Sequence, residues 1–232
     1  MIADALDAKV EAYAATMDRH NPLFVGAAEG RLTVEQVAYY LFNVRHLIRH
    51  TPIHLERARR RALAAGDPAL AEHFAGKLIE EEGHDRWADA DLARLRAELG
   101  TEADGRVSPA LDRLLRFIER TIDHQPARYL SYILVAEYLI ARRGPEWLRL
   151  VEERCGIPAS MMTVIGKHAE LDAEHSDEGL EVIEALVPDP AMREPMCETF
   201  DASLAIFEDF CADVCSVGAP AEARPCATSS SA

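Results

Sequence analysis

Helix punctuation recurs along this chain at intervals that leave room for little except long helices. Thr33 with Gln36 makes a capping box, and Asp67-Pro68 and Ser108-Pro109 each place a cap residue before a proline at the first helical position. Stops follow at Gly30, Gly66, Gly100 to Gly105, Gly144-Pro145, Gly156 to Pro158 and Pro188 to Pro190. Between these marks the pattern predicts helices at 2–18, 33–64, 68–98, 108–123, 127–143, 145–154, 159–186 and 190–216, with no alternating stretch that reads as a strand. Long helices with short connections imply an all-α, single up-and-down bundle of seven to eight helices over residues 1–216. Residues 217–232, VGAPAEARPCATSSSA, are Pro/Ala/Ser-rich without apolar periodicity and are expected to be a disordered tail.

Composition narrows the classes of function. A chain of 232 residues with 49% hydrophobic content can bury one sizeable core. A formal net charge of -15 repels a phosphate backbone, so nucleic acid is not expected as a partner. The N-terminal MIADALDAKVEAYAATMD carries acidic residues where a signal peptide needs basic ones, and no apolar run is long enough to span a bilayer, so the expected location is cytoplasmic, with no membrane partner. Five cysteines (Cys155, Cys197, Cys211, Cys215 and Cys226) without a C-x-x-C pair fit neither a disulfide framework nor a zinc ribbon.

Three polar constellations stand out against this helical background. In KHAELDAEHSDEGLEVIEAL, His168, Asp172 and His175 have H-x3-D-x2-H spacing, which at 3.6 residues per turn gathers them in a stripe about 60° wide. In LIEEEGHDRW, Glu81 and His84 make the Glu-x-x-His pair by which bundles present a carboxylate and an imidazole to a metal. Glu137 interrupts the apolar run YLSYILVAEYLIAR, where a carboxylate must be paired, protonated or metal-bound. Each piece alone also fits a plainer reading. The H-x3-D-x2-H segment is polar enough to be a solvated face, Glu80 lies four residues from His84 and competes with Glu81, and Glu137 could pair with Arg142 or Arg143. Together, three carboxylates and three imidazoles suit two divalent ions. Oxygen and nitrogen donors without thiolate favour iron, with manganese possible.

At these residues the sequence resembles the haem-oxygenase-like di-iron oxidases, whose bundle is shared with haem oxygenase, TenA and PqqC. The resemblance runs from about residue 18 to 186 and is carried by HNPLFVGAAEGRLTVEQVAYYLFNVRHLIRHTP, EEEGHDRWADADL, LVAEYLIA and HAELDAEH. It implies a haem-oxygenase-like fold, a homodimer, and two Fe(II) ions held by Glu81, His84, Glu137, His168, Asp172 and His175. It further implies O₂ as co-substrate, an external electron donor or reductase, and a small-molecule substrate that is oxidised or fragmented. Similar enzymes cleave carbon–carbon bonds of amino acids or fatty acids, or oxygenate nitrogen.

His46, His50 and His54 form a further stripe at i, i+4, i+8, with Arg45 and Arg49 alongside and Tyr39 and Tyr40 before it. Read as facing the metals, Tyr40 and the three histidines make a polar pocket suited to an amino acid or amine. A fatty-acid-decarboxylating member of the same family is the alternative. A TenA-type hydrolase of thiamin salvage shares the bundle but works without metal through a cysteine nucleophile, and Cys155, before Gly156, has no activating neighbour in sequence. A non-catalytic helical partner or a metal-storage protein has the same shape and is the remaining rival.

Overall fold

In a computed structural model of the chain, residues 1–218 are described, the side chains of residues 172–178 excepted. They form ten α-helices and no strand: α1 (Ile2–Ala14), α2 (Met17–His20), α3 (Pro22–Ala28), α4 (Val34–Ala64), α5 (Pro68–Glu80), α6 (Asp85–Leu99), α7 (Pro109–His124), α8 (Tyr129–Cys155), α9 (Thr163–Leu186) and α10 (Arg193–Cys215). No helix among them is long and apolar enough to cross a membrane. Beyond residue 218, the segment expected as a tail lies outside the described residues.

The capping chemistry acts where the sequence places it. Thr33 accepts from the backbone N–H of Gln36 while the Gln36 side chain accepts from the Thr33 N–H, and Asp67 and Ser108 cap α5 and α7 with proline at the first position. The same chemistry starts α3, which the sequence reading omitted: Asn21 accepts from Leu23 and Phe24, and Pro22 follows at N1.

Two further boundaries differ from expectation. The segment read as one helix over 68–98 is two, because Gly83 adopts φ +86°, a left-handed conformation that ends the α-helical hydrogen-bond series. Conversely, Gly144-Pro145 does not divide α8. Gly144 is buried there, and a Cβ at that position would lie 3.5 Å from Ile165 and 3.6 Å from Ala169, so the missing side chain lets α8 and α9 approach closely across the proline.

The helices that carry the site are tied at their ends. α4 packs against α5, α6 and α7, α8 packs most extensively against α9, and α10 closes the bundle against α7 and α8. Buried Asn43 on α4 accepts from the Ser108 N–H at 2.7 Å, and the Ser108 hydroxyl donates to Asp213 on α10 at 2.6 Å. Asp91 on α6, fully buried, accepts from the Thr163 hydroxyl at 2.6 Å and from the Val164 N–H at 2.8 Å. It thereby caps α9 from a neighbouring helix, one turn before His168.

Candidate metal centre

Glu81, His84 and His168 converge. One ligand atom from each lies within 4.8 Å of the other two, and this is the one His/Cys/Asp/Glu group of that kind among the described residues. Glu81 is the C-cap of α5 and His84 the N-cap of α6, so the Glu-x-x-His pair sits in the turn that Gly83 creates and not on a continuous helix. His168 comes from α9, placed by the Asp91 cap.

The protonation pattern leaves room for an ion. His168 Nδ1 lies 2.8 Å from the Val164 carbonyl oxygen, to which it donates as the Nδ1–H tautomer, so Nε2 is left as a lone-pair donor. Burial pushes the His168 pKa down, favouring the neutral ring a metal requires. Burial pushes the Glu81 carboxyl up, but the hydrogen bond to His84, the imidazoles and Lys77 outweigh it and hold the group below its ordinary range. His84 Nδ1 and Glu81 Oε2 are 3.1 Å apart, a separation a shared proton or a cation can bridge. Bonds of about 2 Å put ligands of one ion up to about 4 Å apart, so this triad of one carboxylate and two imidazoles fits a divalent ion with small side-chain adjustment.

Trp87 stacks on His84 with centroids 4.2 Å apart and meets His168 edge-on at 5.5 Å, while the Lys167 ammonium lies 4.7 Å from the Trp87 ring centroid. The indole thus fixes both imidazole planes. The sequence signal for this role of Trp87 is its spacing of three from His84.

The other predicted ligands stand differently. Glu80 is half-exposed and turns away to Lys77, whereas Glu81 is largely buried and turns to the imidazoles. Glu137 on α8 lies 3.0 Å from Lys77 Nζ, so a lysine from α5 supplies a cation that its apolar helix demands, while Arg142 reaches Glu11 and Arg143 reaches Glu146. The Glu137 and Glu80 carboxylates together outweigh burial and keep the Lys77 ammonium protonated. Asp172 and His175 follow His168 on α9, but their side chains lie outside the described residues.

Beside the triad is a cavity of about 160 Å³ between α4, α8 and α10, and its ionisable lining includes Glu81, His168, Glu137 and Lys77. From α4 the lining is Tyr40, Val44, Leu47, Ile48, Thr51 and Leu55. The expectation that His46, His50 and His54 form a polar substrate wall is corrected here. Their stripe stands about 100° round the helix from the Leu47, Thr51 and Leu55 stripe, which takes the cavity face instead. His50 Nδ1–H donates to the His46 carbonyl of its own helix, 2.8 Å away, and His54 is buried edge-on against Tyr129. Arg45 and Arg49 pair with Asp85 and Asp89 on α6.

Neither a protein-family pattern nor a curated protein matches the sequence. Solved structures do. A protein of unknown function with a haem oxygenase-like fold from Shewanella denitrificans aligns over 90% of each chain at 18% identity and TM-score 0.76. A TenA homolog from Pseudomonas syringae pv. tomato aligns over 92% of each chain at 17% identity and TM-score 0.69. A CADD-like protein of unknown function from Nostoc punctiforme aligns over 92% of this chain and 97% of its own at 20% identity and TM-score 0.66. The fold is therefore haem-oxygenase-like, and at such identities the likeness speaks for the fold alone.

Proposed function

We propose that this protein is an O₂-dependent non-haem di-iron oxidoreductase acting on a small, largely apolar organic molecule. The observation that carries the reading is the Glu81, His84 and His168 triad at the wall of an apolar cavity. These three would hold one ion. Glu137, with Asp172 and His175 through the family resemblance, would hold the second. Two ferrous ions bound there, or manganese in their place, would supply the chemistry for binding and reducing O₂, with electrons from an external donor.

The chain's own part is positioning and exclusion of water. Val164 and Trp87 orient the imidazoles, so the ligand atoms are arranged before an ion arrives. Tyr129 and Tyr132, stacked with centroids 5.7 Å apart, line the cavity, and burial raises both phenol pKa values, so the hydroxyls stay protonated at neutral pH. Leu47, Leu55, Leu114 and Phe207 present hydrocarbon to the substrate, which favours an apolar chain over the free amino acid or amine inferred from the histidine stripe. The TenA-type hydrolase is less well supported. No cysteine lines this cavity among the described residues, and the Cys155 thiol is directed to the Ala27 carbonyl, 3.8 Å away.

The test is O₂ uptake by protein loaded anaerobically with ferrous iron and supplied with a reductant. Wild type should consume O₂, and Glu81→Ala and His168→Ala should consume none above free iron. Uptake unaffected by both substitutions would overturn the proposal.

A further inference from the structure

Tyr40 and Phe207 bound the apolar cavity on one side. A second chamber of about 50 Å³ adjoins it, sharing Tyr40, Leu139, Ile140, Ile165 and Phe207 as walls. Glu81 and His168 line only the larger chamber, and Arg143 lines only the smaller. On α8, Arg143 stands six residues beyond Glu137, about 9 Å along the helix axis. The two adjoining chambers therefore place metal-ligand side chains on the wall of one and a guanidinium on the wall of the other.

Arg143 is placed as a receptor of negative charge. Its Nε is buried without a hydrogen-bond partner among the described residues, its Nη1 lies 3.1 Å from Glu146, and its guanidinium carbon lies 5.0 Å over the Phe24 ring. A buried N–H donor without an acceptor is uncommon in folded proteins, and a ligand oxygen is a direct way to satisfy it. Guanidinium also suits carboxylate better than ammonium does, through its planar fork of donors. The other cation on the cavity wall, Lys77, is already engaged by Glu137 and Glu80.

We propose that Arg143 anchors the anionic head of an elongated apolar substrate, an alkyl carboxylate, so that the opposite end of the chain is the part presented to Glu81, His84 and His168. This rests on reading the cavity as the substrate site of the proposed oxidoreductase, and it places the head group away from the metals.

The experiment uses metal-free protein, which separates this question from the metal chemistry. Calorimetric titration with decanoate, decanol and decylamine should show wild type binding decanoate at least about tenfold more tightly than either other ligand. Arg143→Met should weaken decanoate about tenfold or more and leave decanol unchanged, while Lys77→Met keeps the preference for the acid. Arg143→Lys, which keeps the charge without the fork, should fall between and serves as the test if Arg143→Met does not fold. A preference that survives both Arg143 substitutions, one that is lost only in Lys77→Met, or no preference in wild type would overturn the proposal. Metal content is measured in parallel: failure to bind iron with the preference intact defeats the di-iron reading and leaves the anchor standing.

Discussion

Replacing Asp91 with alanine should loosen the site without touching it. The carboxylate is fully buried and accepts three hydrogen bonds, from Thr163 Oγ1 at 2.6 Å, Val164 N at 2.8 Å and Arg94 Nη1 at 3.1 Å. Removing a helix cap costs about 1 kcal/mol, and a hydrogen bond to a charged group contributes roughly 1.5–3 kcal/mol. Relief of the carboxylate's own desolvation offsets part of this, which leaves a net loss of about 3 kcal/mol. For a chain of this size that lowers the melting temperature by roughly 6–12 °C. Asp91→Asn, which retains an acceptor for the Val164 N–H, should lose about half as much. Chemical denaturation followed by circular dichroism measures both, and ferrous-iron affinity measured on the same samples should fall with the cap, because His168 lies one turn beyond it. A loss below about 0.5 kcal/mol in Asp91→Ala would show that the α9 start is held by something else and refute the reasoning.

Gly83→Ala places a side chain at φ +86°, so it should cost about 1–2 kcal/mol and weaken metal binding, because the Glu81–His84 turn must reshape; unchanged affinity in a metal titration would contradict this. Buried His54 has its pKa lowered to about 4, first by burial and then by His50 and Arg57. The unfolded ring titrates near 6.5, so the unfolded chain binds the extra proton as pH falls from 6.5 to 4, and stability should drop by roughly 3 kcal/mol across that window from this group. His54→Phe should flatten that part of a pH-stability curve, and an unaltered curve would exclude His54 as its source. Glu137→Ala leaves the Lys77 ammonium largely buried with half-exposed Glu80 as its remaining carboxylate among the described residues, so the metal-free protein should lose about 1–2 kcal/mol. Glu137→Ala with Lys77→Met should recover most of that loss in thermal unfolding, and a double variant no better than the single would refute the pairing.

What the sequence made legible were the features with a local cause. Thr33, Asp67 and Ser108 start helices because capping depends on neighbours within four residues, and the His168 to His175 spacing marks a stripe on any α-helix. Asn21-Pro22 carried the same signal and was passed over. Features set by packing were not legible. The Glu80 to Glu82 run reads as helix until Gly83 is known to be left-handed, and Gly144-Pro145 reads as a stop until α9 is seen packed against the glycine. The histidine stripe on α4 was assigned to the wrong face because that helix meets α5, α6 and α7, and periodicity alone does not say which neighbour encloses the cavity. Lys77 was missed for a similar reason: its pairing with Glu137 joins residues 60 apart in sequence.

The central claim is that this helical bundle holds two metal ions, and the most direct measurement is the number it takes up. Metal-free protein titrated with ferrous iron under strict exclusion of O₂, then desalted and analysed for iron and protein, should saturate close to two equivalents per chain. His168→Ala should hold no more than one, because one of the three described donors is gone. Saturation of wild type at a single equivalent, or an uptake that His168→Ala leaves unchanged, would contradict the account.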